Sequence, residues 1–248
     1  MAEILLKDGE RINQLFSTDV KIIQNREVFS YSVDSVLLSR FPNLPKRGLI
    51  VDLCAGNGAV GLFASTRTQA QIIAVEIQER LADMAQRSIE LNGLTHQMQV
   101  IQDDLKYLTR YISGSKVDMI LCNPPYFKVD EHSNLNASRH YLLARHEIAT
   151  NLEEICQISQ RVLKSNGRLT MVHRPERFLD IIETMTAHNL APKRIQFVYP
   201  KANRKANMLL IEAIKDGSRD GLKILPPLFI HNQDGSYTPE IHEIYYGK

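Results

Sequence analysis

The chain has 248 residues, of which 44% are hydrophobic and 23% charged, with a formal charge of +2. A chain of this kind can bury a sizeable core without disulfides or metal, and its net charge is too small to mark a nucleic-acid binder by itself. Its three cysteines, Cys54, Cys122 and Cys156, have no C-x-x-C spacing, which argues against a disulfide framework or a cysteine-rich zinc site and for a reducing, cytoplasmic setting.

Residues 1–10 are charged and lack the pattern of a secretory signal, and no uncharged apolar run is long enough to span a bilayer, so no membrane partner is expected. Alternation over 11–16 and 20–23 predicts an appended hairpin. Residues 49–53 read as the first core strand, 59–65 as a helix and 71–76 as the second strand. Leu81, Met84, Ser88 and Leu91 recur at helical spacing, and Asn92-Gly93 has the form of a left-handed cap. Strands follow at 98–101 and 117–122. Asn151-Leu152-Glu153-Glu154 has the form of a capping box, opening a helix with Leu152, Ile155, Ile158 and Val162 inward and Gly167 at its end. Residues 168–173 form a fifth strand. Pro175 precedes a helix with Phe178, Ile181, Ile182 and Met185 inward. Strands at 195–199 and 208–213 flank the loop Pro200-Lys201-Ala202-Asn203-Arg204-Lys205, and Asp234-Gly235 signals a hairpin in the tail. Strands alternating with amphipathic helices indicate an α/β fold with a mainly parallel sheet.

Two strand-to-turn junctions carry chemistry. In Asp52-Leu53-Cys54-Ala55-Gly56-Asn57-Gly58, the two glycines let backbone approach a ligand, and the following helix turns amide groups toward the crevice. The third glycine of the dinucleotide fingerprint is missing. Glu76 ends the second strand, where a carboxylate can accept both hydroxyls of a ribose. Asp103-Asp104 ends the third strand, where a carboxylate can accept the hydrogens of an adenine amine. Acids after strands often only cap helices, but three successive strand ends carrying them point to a nucleotide-like ligand.

The second junction is Asn123-Pro124-Pro125-Tyr126. An aryl or amide nitrogen is a poor nucleophile because its lone pair is delocalised. It improves when acceptors hold its hydrogens, and the Asn123 side-chain oxygen and the Pro124 carbonyl can do so. The prolines stiffen the loop, and preorganised dipoles stabilise charge arriving on nitrogen. Tyr126 offers a stacking face and Phe127 a wedge for an extruded base.

These motifs resemble the S-adenosylmethionine-dependent methyltransferases that act on exocyclic or amide nitrogen. Within them, the segments 29–38, 123–127, Ala144-Arg145-His146-Glu147, 209–213 and the tail near 234–240 resemble the bacterial tRNA adenine-N6 methyltransferases. The resemblance implies the class I, Rossmann-like fold: a mostly parallel seven-stranded sheet with an antiparallel final strand, plus the N-terminal hairpin. It implies one methyltransferase domain over 1–248, with an extension at 1–30, a catalytic core at 31–214 and a strand or hairpin tail at 215–248. S-adenosylmethionine is the implied cofactor, contacted by Asp52, Ala55, Gly56, Gly58, Glu76 and either Asp103 or Asp104, with Asp104 the better match. Asn123, Pro124 and Tyr126 are the implied catalytic residues. The implied partner is RNA, the family's usual target being the anticodon-loop adenine of a valine tRNA. Pro125, Phe127, Arg145, Lys201, Arg204 and Lys205 are the candidate substrate-binding residues, the last three within a run from Lys193 to Lys205 that has five basic residues and no acid.

Other readings of the same residues are a protein glutamine methyltransferase, a DNA adenine methyltransferase, and a non-catalytic RNA-binding module on the same scaffold. The eight histidines show no ligand pair at useful spacing, so no metal is assigned. Ser30, Ser32 and Ser35 lack a nucleophile-elbow context, and Cys54 and Cys122 read as small buried fillers at strand ends.

Overall fold

The structure, a computed structural model, describes residues 6–15, 17–25, 32–125 and 152–247. Strands β1 (Glu10–Leu15) and β2 (Val20–Asn25) pair as an antiparallel hairpin. Helix α1 (Val33–Arg40) leads to β3 (Leu49–Leu53), α2 (Ala59–Ser65), β4 (Gln71–Glu76), α3 (Glu79–Leu91) and β5 (Met98–Gln102). A 3-10 helix (Leu105–Arg110) precedes β6 (Val117–Cys122). Then come α4 (Leu152–Val162), β7 (Leu163–His173), α5 (Phe178–Ala187), β8 (Leu190–Tyr199) and β9 (Met208–Lys215). The two-residue strands β10 (Lys223–Ile224) and β11 (Leu228–Phe229) and helix α6 (Pro239–Tyr246) complete the described chain.

The main sheet has nine strands in the order β10-β8-β9-β7-β6-β3-β4-β5, with β11 also on β8. Neighbours from β7 through β5 are parallel, and β9 runs antiparallel between β7 and β8. The expected parallel sheet with an antiparallel final strand is therefore present, widened by β10 and β11. Side-chain alternation sets the layers. Ile50, Ile72, Ala74, Met119 and Leu121 pack on the face covered by α1 and α2. Val51, Leu53, Ile73, Val75, Ile120 and Cys122 pack on the opposite face with α4 and α5. Among the described residues, no helix is long and apolar enough to cross a membrane.

Three boundaries differ from the sequence expectation. Helix α4 ends at Val162 and not at Gly167, because the Arg161 and Val162 carbonyls accept hydrogen bonds from Ser115 and Lys116 N–H (3.3 and 3.0 Å). Chain 163–167 instead joins β7 beside a register shift at Val117/Met119, where any β-carbon on Gly167 would lie 2.9 Å from the Lys164 carbonyl. The Asn151 cap lies outside the described residues. Strand β8 begins at Leu190, five residues ahead of Ile195, because Ala191 and Pro192 already pair with β9. The tail forms the small Asp234-Gly235 turn, with His231 bridged to Tyr237, but then ends in a helix capped by the Thr238 hydroxyl.

The hairpin is fastened at several points. Lys21 N–H donates to the Asn92 side chain and Ile23 N–H to the Ser88 hydroxyl (2.9 and 3.0 Å), both on or beside α3. Arg87 on α3 pairs with Glu10 and Asp83, both at 2.7 Å, and the Glu10 side chain is only 1% exposed. The Asn57 side-chain N–H donates to the Ile23 carbonyl at 2.9 Å, joining the hairpin to the glycine turn. At the other end of the hairpin, Ser17 bonds the Ile244 and Tyr245 carbonyls of α6.

Burial raises the Glu10 pKa, but the Arg87 guanidinium and the Lys7 N–H together outweigh it and hold the carboxyl below its ordinary 4.5. A lowered carboxylate pKa contributes stability that is present above the unfolded value and lost as pH falls through the folded one. Arg87→Ala should therefore cost about 2 kcal/mol near neutral pH, between an exposed and a buried pair. In urea melts at a series of pH values, the gap from the wild type should close as the pH drops below the ordinary carboxylate range. A gap that stays constant down to the acid limit would show that the loss comes from packing instead of charge.

Candidate active site

Strand order places the chemistry-bearing junctions together. The chain builds outward from β3 through β4 to β5, then crosses back to lay β6 on the other side of β3. Such a switch point leaves a crevice at the carboxyl ends of the strands. The register levels those ends: Leu53 sits opposite both Val75 and Cys122, and Glu76 opposite Gln102. The glycine turn, Glu76, Asp103-Asp104 and Asn123 therefore leave the sheet along one edge on four neighbouring strands.

The glycine turn is shaped by left-handed backbone. Cys54, Gly56 and Gly58 have φ values of 57°, 57° and 81°. Glycine takes this conformation at little cost, whereas Cys54 is strained, a feature that clusters at functional turns. Cys54 is half-buried rather than the buried filler expected, while Cys122 is fully buried and burial drives its thiol pKa upward. A β-carbon on Gly58 would approach Ala85 at 3.1 Å, so α3 closes on the turn from behind. Ala55 N–H bonds the Val75 carbonyl at 3.0 Å, which ties the turn to β4.

Glu76 binds the turn itself. Its two carboxylate oxygens accept Gly56 N–H and Gln78 N–H at 2.8 and 2.9 Å, and the residue is 5% exposed. Each oxygen keeps a further lone pair, so the carboxylate can take two hydroxyl donors without surrendering its backbone contacts. Burial raises its pKa above 4.5, against the lowering effect of those N–H groups. Asp52 lies beneath the turn and is fully buried, with one oxygen accepting Gly61 N–H at 2.9 Å and the other meeting no donor among the described residues. Burial pushes its pKa to about 7, with the nearby Glu76 charge adding to the shift. A buried acceptor without a donor and a glycine turn against a two-oxygen carboxylate fit a ligand that brings hydroxyl and ammonium donors.

The third strand end is partly occupied by local structure. Asp104 caps the 3-10 helix, accepting Lys106 N–H at 3.0 Å and pairing with the Lys106 ammonium at 2.7 Å. Asp103 accepts its neighbour's N–H and the Tyr111 hydroxyl (2.8 and 2.9 Å). The helix-cap role that strand-end acids commonly play is real for Asp104.

Asn123 follows β6 half-buried, with Pro124 buried and Pro125 half-buried behind it. Its side-chain nitrogen donates to the Ser35 hydroxyl of α1 at 3.2 Å. No sequence signal marked Ser35 for this contact beyond its place in the segment preceding the glycine turn. Tyr126, Phe127 and Arg145 lie outside the described residues.

The basic loop between β8 and β9 stands at the same carboxyl edge, because β8 runs parallel to β7. Arg204 and Lys205 are exposed there, while Lys201 is half-buried and donates to the Gln233 carbonyl. Arg174, just after β7, donates to the Asn207 carbonyl at 2.9 Å and fixes the base of the loop. The basic run is shorter than it reads in sequence. Lys193 bonds the Ser218 and Asp220 carbonyls, and Arg194 pairs with buried Glu212 and stacks on Phe41. His173 ends β7 fully buried, and burial takes its pKa down to about 4, so it is neutral at physiological pH.

Comparison with known proteins agrees with this layout. Residues 19–189 match the family model described as methyltransferase small domain. The tRNA1(Val) (adenine(37)-N6)-methyltransferase of Shewanella sp. (strain MR-7) is 25% identical over 214 residues, covering 86% of this chain and 89% of that protein. The protein of the same name from Porphyromonas gingivalis W83 is 26% identical over 84% of this chain and 83% of its own length. Among solved structures, a predicted O-methyltransferase from Agrobacterium tumefaciens superposes with a TM-score of 0.68 at 24% identity, covering 87% of this chain and 96% of the other. Pyrococcus horikoshii TYW2 in complex with MeSAdo gives a TM-score of 0.59 at 14% identity over 85% of this chain and 73% of that one. With the family model covering most of its length, and the glycine turn, Glu76 and Asn123 aligned along one sheet edge, the chain belongs to the methyltransferase small domain family.

Proposed function

We propose that this protein transfers a methyl group from S-adenosylmethionine to the N6 amine of an adenine in RNA, with tRNA as the substrate class. The observation that carries the reading is the register that sets Asn123-Pro124 directly beside the glycine turn, Cys122 lying opposite Leu53. When bound, the cofactor supplies a methyl group on a positively charged sulfur. Glu76 accepts the ribose hydroxyls, the turn at Ala55, Gly56 and Gly58 lies against the amino-acid part, Asp52 supports that turn from below, and the Asp103-Asp104 corner holds the adenine end.

The target amine is held by the Asn123 side-chain oxygen and the Pro124 carbonyl. Two acceptors in fixed positions take both amine hydrogens and leave the nitrogen lone pair directed away from them. Because Pro124 and Pro125 restrict the backbone, little reorganisation is needed as positive charge builds on nitrogen. The methylated nitrogen is acidic enough to release its proton to water. Tyr126 and Phe127 are assigned to stacking the base, and Arg145, Lys201, Arg204 and Lys205 to the phosphate backbone. The names of the relatives from Shewanella and Porphyromonas support the substrate class.

Two experiments test the proposal. Tritiated methyl transfer into unmodified total tRNA from a strain lacking the gene should yield labelled N6-methyladenosine on nucleoside analysis. Label confined to protein glutamine or DNA would overturn the substrate while keeping the chemistry. Asn123→Ala should lower kcat by about a hundredfold or more, as loss of an oriented transition-state dipole does, and leave S-adenosylhomocysteine affinity within about twofold. Equal losses in both would remove Asn123 from its assigned role.

Glu76 gives the cofactor site a pH dependence. Its carboxylate must be ionised to accept two hydroxyls, and burial raises its pKa above 4.5. Calorimetric affinity for S-adenosylhomocysteine should therefore fall with decreasing pH before the ordinary carboxylate range is reached. Glu76→Gln should weaken binding about tenfold to a hundredfold at neutral pH, the worth of hydrogen bonds to a charged group, and flatten that dependence. Full affinity in Glu76→Gln would place the ribose elsewhere.

A further inference from the structure

We propose that Cys54 and Cys122 form a redox modification site: a peroxide oxidises Cys54, Cys122 closes the disulfide, and the closed bond weakens cofactor binding at the glycine turn. The last step rests on the proposed role of that turn, and the first two on the thiol pair alone.

Strand register brings the two sulfurs together. Leu53 sits opposite Cys122, so Cys54 is one residue beyond it on the neighbouring strand. Parallel strands about 4.8 Å apart, with an advance of about 3.3 Å per residue, give such a pair a Cα separation of about 6 Å, inside the roughly 4.4–6.8 Å that a disulfide spans. Alternation alone would send the Cys54 side chain to the layer opposite Cys122. Its left-handed backbone, φ 57°, breaks the alternation, and the side chain packs against the layer that contains Cys122. The two thiols share a hydrogen bond there.

Exposure decides which sulfur reacts first. Cys54 is half-buried, whereas Cys122 and Cys156 are each 0% exposed. Oxidation follows thiolate character and access, and sensor cysteines stand beside a resolving thiol. The Cys54 sulfur, as thiolate, attacks one oxygen of hydrogen peroxide. The O–O bond breaks, leaving a sulfenic acid and a hydroxide that takes up the Cys54 proton as water. The Cys122 sulfur then attacks the Cys54 sulfur and displaces its hydroxyl group, which leaves as a second water with the Cys122 proton. Two thiols and one peroxide thus become one disulfide and two waters. The sulfur separation shrinks from hydrogen-bond contact to about 2 Å, which draws Cys54 toward β6. The residues that follow, Ala55 and Gly56, then shift against β4, where their N–H groups bond the Val75 carbonyl and the Glu76 carboxylate.

The test treats the folded protein with hydrogen peroxide, alkylates the remaining thiols under denaturing conditions and maps tryptic peptides, alongside Cys54→Ser, Cys122→Ala and Cys156→Ala. The wild type and Cys156→Ala should both yield peptide 48–67 linked to peptide 117–128, separable by dithiothreitol. Cys122→Ala should carry sulfenic or sulfinic acid on Cys54 and no link. Untouched thiols, a link between Cys122 and Cys156, or sulfinic acid on Cys54 without a link in the wild type would overturn the proposal. Calorimetry with S-adenosylhomocysteine reads the consequence. Wild-type affinity should fall about tenfold or more on oxidation, the scale of one lost hydrogen bond, and return with dithiothreitol. In Cys54→Ser, affinity before and after peroxide should agree within about twofold. Equal affinity in the reduced and disulfide-linked wild type would overturn the effect on the turn. If the reduced protein does not bind S-adenosylhomocysteine while the linked peptide forms, the cofactor reading fails and the modification site stands.

Discussion

The parallel register of β6, β3, β4 and β5 is the constraint on which the site depends. Parallel strands lie about 4.8 Å apart, so four junctions leaving level strand ends form a row about 15 Å long. With Leu53 opposite Val75 and Cys122, that row places the Asn123 turn next to the glycine turn and Glu76 on its other side. A one-residue slip of β6 against β3 would turn Ile120 toward the wrong layer and move Asn123 off the edge. The two apolar layers therefore fix the geometry of this edge as well as the fold, because the alternation that buries Val51 and Ile120 on one face and Ile50 and Met119 on the other allows one register.

The N-terminal segment joins the two halves of this row. Its hairpin is bonded to the glycine turn through Asn57 and Ile23, and the helix that follows it reaches the Asn123 turn through Ser35. The hairpin therefore touches the glycine-turn side of the crevice, and α1 touches the Asn123 side. Buried ion pairing of Arg87 with Glu10 and the contact of Ser17 with α6 hold the hairpin from behind. A mechanical link of this kind lets the acceptor atoms on either side of β3 keep a fixed relation.

Much of this was legible in the sequence, and the exceptions share a cause. Strands β3, β4 and β6 could be read to within a residue because buried parallel strands are short apolar runs bounded by turn residues. Asn92-Gly93 marked the end of α3 because the left-handed backbone at Gly93, φ 67°, suits glycine. Gly167 misled because the end of α4 is set by Ser115 and Lys116, residues far away in sequence that capture its last carbonyls. The same holds in the site. Glu76 and Asn123 are recognisable because their chemistry is tied to local motifs. Ser35, Asn57 and the strained backbone of Cys54 matter through contacts made only after folding, as do Lys193 and Arg194, whose charges are spent inside the structure. Asp104 shows the local rule prevailing: an acid after a strand capped the helix that follows it.

The central claim is that one sheet edge holds the nucleotide at Glu76 and the reacting amine at Asn123. A crystal structure with sinefungin, whose amine stands where the transferable methyl would be, tests it most directly. The account predicts both ribose hydroxyls within hydrogen-bonding distance of the Glu76 carboxylate and the ligand amine directed toward Asn123 and Pro124. A ribose away from Glu76, or an amine facing away from the Asn123 turn, would contradict it.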